Sequence, residues 1–374
     1  VWWIFFTLCE INEGEKMNSI RYAIVGFGGI AENRIAKEGF ALDNNRFESI
    51  PGIKLVGATD VSPARQNAVE NLGLKWYNNS DDIGNDSDID AVFIATNNLS
   101  HFPLAEKLIK AKKHLIIEKP MATTLENAKN LVKLATENRI SLAVDHMMLY
   151  NVYNIKANEL IEEGKIGDVN DVVLHMEFPY GYTAEEAAQW RNADPDEVGG
   201  PIGDVACHCM YMAEFLLKDK ITSIKAIYTP EVNKLKVENG AFIRFKTKNN
   251  ITGSVRVSFS DLRGALQSIF LNLGYEIYGD KGTIRTFGTL FQLSGHKDEP
   301  INLRLEVDDF ERIENIKIPD VKNIYQEVIK HHADSVRTGK LLTGAEALHN
   351  LELVLKAHQS AKHNGQEQII TSID

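Results

Sequence analysis

One six-residue stretch, Gly26-Phe27-Gly28-Gly29-Ile30-Ala31, limits what this chain can fold into more than any other. It fits G-x-G-x-x-A, follows the apolar run 21–26 directly, and opens a helix-period segment at 29–42. In that setting Gly26 allows a tight turn and Gly28 lets a pyrophosphate approach the backbone. Ala31 allows close packing of helix on sheet, while the helix N-terminus offers oriented N–H donors. Small residues at a strand–helix turn are common, so the weight comes from the motif's place in the first βαβ unit.

Around the motif the chain alternates. Nearly all-apolar strands are expected at 21–26, 53–60, 91–96, 114–118 and 141–146, with helices at 29–42, 63–72, 103–111 and 125–138 between them. Ser62 at the N-cap and Pro63 at the first helical position start the second helix. Such alternation means a parallel sheet covered on both faces. After about residue 150 the rhythm changes. A helix at 152–163 precedes period-two segments at 171–178, 241–247, 251–259, 268–278, 283–287 and 301–307, and helices at 324–338 and 344–363 follow. Period two marks an antiparallel sheet with one buried face. The fold class is α/β, a dinucleotide-type domain at 17–146, followed by an α+β domain at 147–374.

Residues 1–16 stand apart. VWWIFFTLC is too short for the ~20 residues that span a bilayer, and it lacks the basic region and cleavage site of a secretory signal. The expectation is an upstream extension with Met17 as the start; the alternative is an apolar arm packed on the domain or a partner.

Composition narrows the partners. A net charge of −11 argues against a nucleic-acid or anionic-membrane surface, which needs clustered Lys and Arg. Three cysteines, Cys9, Cys207 and Cys209, are too few for a disulfide framework and point to a reducing, cytoplasmic setting. Cys207-His208-Cys209 is not read as a metal site, because adjacent residues on a helix diverge and no second Cys/His pair has zinc spacing. His331, His332, His349, His358 and His363 are expected on the surface, and Met147 and Met148 in the core. No G-x-S-x-G, G-x-x-x-x-G-K or H-E-x-x-H motif is present.

Four places could carry chemistry. Asp60, ending the second strand, is placed to hold the adenosine ribose hydroxyls. No Arg follows it at once, which favours NAD over NADP, although Arg65 one turn on keeps NADP open. Thr96-Asn97-Asn98 with His101, and Glu118-Lys119-Pro120, sit at carboxyl ends of strands, where open parallel sheets bind ligands. An ammonium at Lys119 beside a cofactor could polarise a substrate oxygen or share in proton transfer. Beyond Trp190-Arg191 and the turn Gly199-Gly200-Pro201, Asp204 and His208 are four apart, on one face if helical. A carboxylate there would orient the imidazole and raise its basicity.

With these residues in order, the chain resembles the glucose–fructose oxidoreductase and inositol dehydrogenase family from about Ile20 onward. The resemblance is carried by Gly26–Ala31, Asp60, Asn98 with His101, Glu118-Lys119-Pro120, Trp190-Arg191, and Gly199-Gly200 through Asp204 to His208. It implies a Rossmann domain and a second domain with a large open, mainly antiparallel sheet, through which family members form dimers or tetramers. It implies a catalytic trio of Lys119, Asp204 and His208, with Glu118 and His101 near the nicotinamide ribose and cofactor edge, and a Lys119–Pro120 bond that is often cis. Three departures stand out: Asn97 for the usual Pro, Tyr211 for an Asp often found three after the histidine, and MMLYN after residue 146.

The expected activity is hydride transfer between nicotinamide and a secondary alcohol or ketone of a sugar, inositol or sugar derivative. Trp190 and Arg191 would line the sugar pocket. His208 oriented by Asp204 would take the hydroxyl proton; Lys119 as acceptor with His208 steering is the alternative, and spacing does not separate the two. An NAD-dependent glycosidase using transient oxidation and a non-catalytic NAD- and sugar-sensing protein are the rival classes.

Overall fold

The computed structural model describes residues 19–260, 273–287, 303–318 and 320–372. The 1–16 segment and parts of the strands expected at 268–278 and 301–307 lie outside the described residues. Within them, β1 (Ile20–Val25), β2 (Ile53–Thr59), β3 (Lys75–Trp76), β4 (Ala91–Ile94), β5 (His114–Ile117) and β6 (Leu142–Val144) form one parallel sheet. Its order is β3-β2-β1-β4-β5-β6, so the order in which strands are added reverses between β1 and β4. That reversal opens a crevice at the strands' carboxyl ends.

β3 and the helix Ser80–Asn85 escape the sequence reading because both are too short to show a period. The helix is nonetheless capped, with Asn79 accepting the N–H groups of Asp81 and Asp82. The helix expected from Pro103 begins instead at Asn98 and carries that proline inside it. The cause is a long-range cap: Glu197 Oε2 accepts the Leu99 N–H at 2.8 Å, at the end of the helix where donors are otherwise unpaired. The first helix, Ala31–Gly39, is wound wide, with Phe40 N–H bonding Ile35 O five residues back.

The second sheet contains β7 (Val169–Glu177), β8 (Ile221–Tyr228), β9 (Gly240–Thr247), β10 (Thr252–Ser258), β11 (Leu273–Gly279), β12 (Thr283–Phe287), β13 (Arg304–Asp308), β14 (Ile313–Ile316) and β15 (Gln368–Ile369). Its order is β14-β13-β12-β11-β7-β10-β9-β8-β15, antiparallel except where β10 lies parallel to β7. β9 alternates as expected, burying Ile243 and Phe245 while exposing Phe242, Arg244 and Lys246. β8 went unnoticed because its pairing shifts register between Ile221 and Ser223, which breaks the period of two.

The last helices, Ile324–Thr338 and Ala345–Lys362, turn back onto the first sheet. Tyr22 Oη meets His332 Nδ1 at 2.7 Å, Ser141 Oγ meets Ser335 Oγ at 2.6 Å, and Leu142 N–H bonds Leu342 O. This corrects the reading of the C-terminal histidines as surface residues. His332 is buried in that seam, and His349 is buried with its Nε2 at 2.6 Å from Glu214. His358 pairs with Tyr228 at 3.1 Å, and His331 with Tyr150 at 2.6 Å, while His363 is exposed. Charged sequence neighbours do not mark a solvated face here: Glu352, three residues after His349 on the same helix, is buried as well. Among the described residues no helix is long and apolar enough to cross a membrane.

Candidate active site

The carboxyl ends of β1, β2, β4 and β5 face β7 and the 189–208 segment across one cleft of about 1140 Å³. Ordinary small-molecule sites occupy ~300–1,000 Å³, so this cleft has room for a dinucleotide and a small substrate together.

One end is the glycine turn. Gly26 has φ +88, and a Cβ there would meet Ala95 O at 2.6 Å, so no larger residue fits. Gly28 and Gly29 have nothing within 4 Å of an added Cβ and lie on the cleft wall beside Ile30 and Ala31. A phosphate can therefore reach these backbone donors at the start of the helix. Asp60 also lines this end, its Oδ2 accepting Phe27 N–H at 2.6 Å and its Oδ1 accepting Ser62 N–H at 2.8 Å. A carboxylate has about four acceptor sites, so capacity remains for ribose hydroxyls. The donor set fits NAD. Arg65, in contrast, is committed: its guanidinium bonds Phe27 O at 2.6 Å and Glu32 at 2.5 Å.

The other end gathers residues far apart in sequence. Lys119 follows β5, in a Lys119–Pro120 peptide that is cis. Its Nζ donates to both Asp204 O and Asp204 Oδ1 at 2.7 Å. Arg191 lies 3.6 Å from the other Asp204 oxygen and stacks over Trp190 at 4.9 Å. His208 turns its Nδ1 to Tyr211 Oη at 2.7 Å. The Asp204 carboxylate is thus held by two cations, and the hydrogen bond that orients the imidazole at Nδ1 comes from Tyr211. A full ammonium competes for a carboxylate better than a neutral imidazole does, which the i, i+4 spacing could not reveal.

Burial and charge set the protonation states. Burial alone would raise Asp204, but Lys119 and Arg191 hold it well below the usual carboxylate range. Burial would strip the proton from Lys119, but Asp204, Cys207 and Glu118 together leave its pKa raised. Burial, with Lys119 adding to it, pushes His208 well below the usual histidine range against the pull of Asp204, so the imidazole is neutral. Behind Glu118, the fully buried Asp145 is pushed well above its ordinary value by burial and then by Glu118 itself.

Thr96, Asn97, Asn98, Glu118, Trp190 and Arg191 all lie on the cleft wall, as do Lys119, Asp204 and His208. Two of the expected cofactor contacts do not. Phe27 is fully buried, its backbone N–H taken by Asp60. His101 is also fully buried and supports the wall from behind, through Pro120 O at 2.7 Å. Met147, expected in the core, is both buried and on the wall. Sequence reasoning missed Phe178, Gln189 and Tyr325 on the wall, and the buried Glu197 that holds Asn97 and Asn98. Glu197 Oε1 accepts from Asn97 Nδ2 at 2.5 Å and Glu197 O accepts from Asn98 Nδ2 at 2.7 Å. Asn97 in place of a proline was the one signal there, since proline has no side-chain donor.

Residues 20–146 match the family model described as an oxidoreductase family with an NAD-binding Rossmann fold. Residues 155–285 match the GFO/IDH/MocA C-terminal domain. The chain is 25% identical over 364 residues to scyllo-inositol 2-dehydrogenase (NAD(+)) of Bacillus subtilis (strain 168), covering 94% of this chain and 97% of the relative. It is 29% identical over 220 residues to 1,5-anhydro-D-fructose reductase of Ensifer adhaerens, covering 58% of this chain and 62% of the relative. A likeness of fold extends to the aldose-aldose oxidoreductase of Caulobacter crescentus crystallised with glycerol. The TM-score is 0.79 at 20% identity, over 94% of this chain and 100% of the other.

Proposed function

The chain belongs to the GFO/IDH/MocA oxidoreductase family, and we propose that it interconverts a secondary alcohol and a ketone on a sugar, inositol or sugar derivative. The observation that carries this reading is the convergence of Lys119, Asp204 and His208 on the cleft that begins at the Gly26–Ala31 turn. When bound, NAD supplies or takes up the hydride. Gly28, Gly29 and the helix behind them hold its pyrophosphate, Asp60 its adenosine ribose, and Glu118 its nicotinamide ribose; Thr96, Asn97 and Asn98 line the same path.

Lys119 directs Nζ at the reacting oxygen and offsets its developing negative charge. Asp204 fixes that ammonium with two hydrogen bonds and keeps it protonated. His208 makes the second contact to the same oxygen. Trp190 and Arg191 form the sugar-facing wall, an aromatic face backed by a guanidinium. Lys119 and His208 act on that oxygen as one proton-transfer unit.

We place the protein in the cytoplasm, a reading supported by two buried free thiols, Cys207 and Cys209. A homodimer or homotetramer is supported by the open face of the second sheet. There Ile227 and Phe242 are exposed neighbours across β8 and β9. Nicotinamide absorbance followed over a panel of sugars, inositols and keto-sugars with NAD and NADP, oxidised and reduced, tests the activity. Turnover on one class supports it. Release of sugar from a glycoside without net nicotinamide reduction overturns it.

A further inference from the structure

Tyr211 and His208 form a hydrogen bond in which each partner has a choice of role. Tyr211 Oη lies 2.7 Å from His208 Nδ1, and both residues are buried. The Met148 N–H, which can only donate, points at the same phenol oxygen at 3.4 Å. The ring itself is fixed by stacking on His146, with centroids 4.4 Å apart. A phenol has one proton to give. Among the described residues, the acceptor within hydrogen-bond reach of that proton is His208 Nδ1. Were Nδ1 protonated instead, the phenol oxygen would accept twice and its own proton would be stranded in a buried site, which proteins avoid.

We propose that Tyr211 donates to Nδ1 and so holds His208 as the Nε2–H tautomer, which makes the histidine a hydrogen-bond donor to the substrate oxygen and leaves proton transfer to Lys119. This rests on the oxidoreductase reading above. It reverses the expectation, drawn from the Asp204–His208 spacing, that the histidine is the base.

The surroundings keep both partners neutral. Lys119 acts on His208 from the end of β5, His146 from beyond β6 and Asp204 from its own helical segment, with Arg191 standing behind Asp204; Cys207, Asp145 and Tyr325 act on Tyr211. Burial, Lys119 and His146 press the imidazole toward neutrality against Asp204, and burial keeps the phenol protonated. The resting site therefore offers a carbonyl oxygen two donors, an ammonium and a neutral imidazole N–H. That is the protonation state ketone reduction needs. The carbonyl carbon gains a hydride from the reduced dinucleotide, the C=O π bond breaks, and the oxygen takes a proton from Lys119 Nζ. The amine left behind recovers its proton from water, and His208 Nε2–H stays bonded throughout. Alcohol oxidation, the reverse, requires Lys119 to be deprotonated first.

The tautomer is readable without turnover. In protein labelled with 15N-histidine, long-range proton–nitrogen spectra distinguish pyrrole-type from pyridine-type nitrogens, and His208→Gln identifies the residue. A pyridine-type Nδ1 and pyrrole-type Nε2 are expected in the wild type. Tyr211→Asp, which when ionised can only accept, should move the proton to Nδ1. A pyrrole-type Nδ1 in the wild-type spectrum overturns the proposal, whatever the variants do. Kinetics give a second reading: oxidation kcat/KM should still climb above about pH 9, where lysine begins to lose its proton. A plateau reached near pH 7 and abolished in His208→Gln overturns it too. The spectra are taken on the free protein, so inactivity across the whole substrate panel would count against the oxidoreductase reading alone.

Discussion

Lys119 and Asp204 are 85 positions apart in sequence, yet one ammonium binds both the backbone carbonyl and the carboxylate of the aspartate at 2.7 Å. The pair joins the end of a parallel strand to the helical turn Pro201–Ala206. It is an ion pair with most of its water removed, the kind in which removing one partner costs more than the contact is worth.

Replacing Lys119 by Ala should therefore do two things. Turnover should fall by roughly 10²–10⁴-fold, the usual range for losing an acid–base group, while dinucleotide affinity stays close to wild type. Steady-state rates and a fluorescence titration with the dinucleotide separate these. Equal losses in both would move Lys119 from the chemistry to cofactor binding.

The two glycines of the turn should fail differently. Gly26→Ala places a Cβ 2.6 Å from Ala95 O at a positive φ, and denaturant titration should report a loss of about 1–3 kcal/mol. Gly28→Val adds its side chain to open space, so its melting temperature should match wild type while dinucleotide binding weakens. Wild-type binding by Gly28→Val would mean that the pyrophosphate lies elsewhere.

Cofactor choice should follow Arg65. Its guanidinium is held by Phe27 O and Glu32, so the extra phosphate of NADP would have to compete with a carboxylate for it. The kcat/KM with NAD is expected to exceed that with NADP by about tenfold or more, a difference of roughly 1.4 kcal/mol. Glu32→Ala should narrow the gap. A preference for NADP in the wild type contradicts this.

Glu238 should give stability an unusual pH slope. Its Oε1 accepts the Ile202 N–H at 2.8 Å, at the start of the segment that carries Asp204. Burial lifts its pKa from the ordinary 4.5 to about 7. A carboxyl raised on folding binds more protons folded than unfolded, so its contribution is complete below pH 4.5 and is lost as the pH rises to about 7. Glu238→Gln keeps the acceptor and does not titrate. Across that window the melting temperature of wild type relative to Glu238→Gln should fall with rising pH; a constant difference refutes the assignment.

Much of this was legible beforehand because it is written in local patterns. Apolar strands alternating with helices announced the first sheet, period two announced the second, and the Gly26–Ala31 turn fixed one end of the cleft. The strand at Ile221–Tyr228 was missed because a register shift breaks its alternation. The helix start at Asn98 was misjudged because its cap, Glu197, comes from the other half of the chain. Tyr211 registered only as a departure from a family pattern. Its role depends on where Met148 and His208 point, and a one-dimensional pattern does not contain that.

The return of the last helices onto the first sheet bears on how the protein is made. Tyr22 and Leu142 are sealed by His332 and Leu342, so the N-terminal half cannot close its surface when its own strands are complete. Leu342 follows Leu142 by 200 positions, about 10–40 s of synthesis at ~5–20 residues per second. For that interval the nascent sheet stands with one seam uncovered. A fragment ending after the sixth strand would carry the same exposed seam permanently, so the dinucleotide half is an expression unit only when the C-terminal helices are supplied with it.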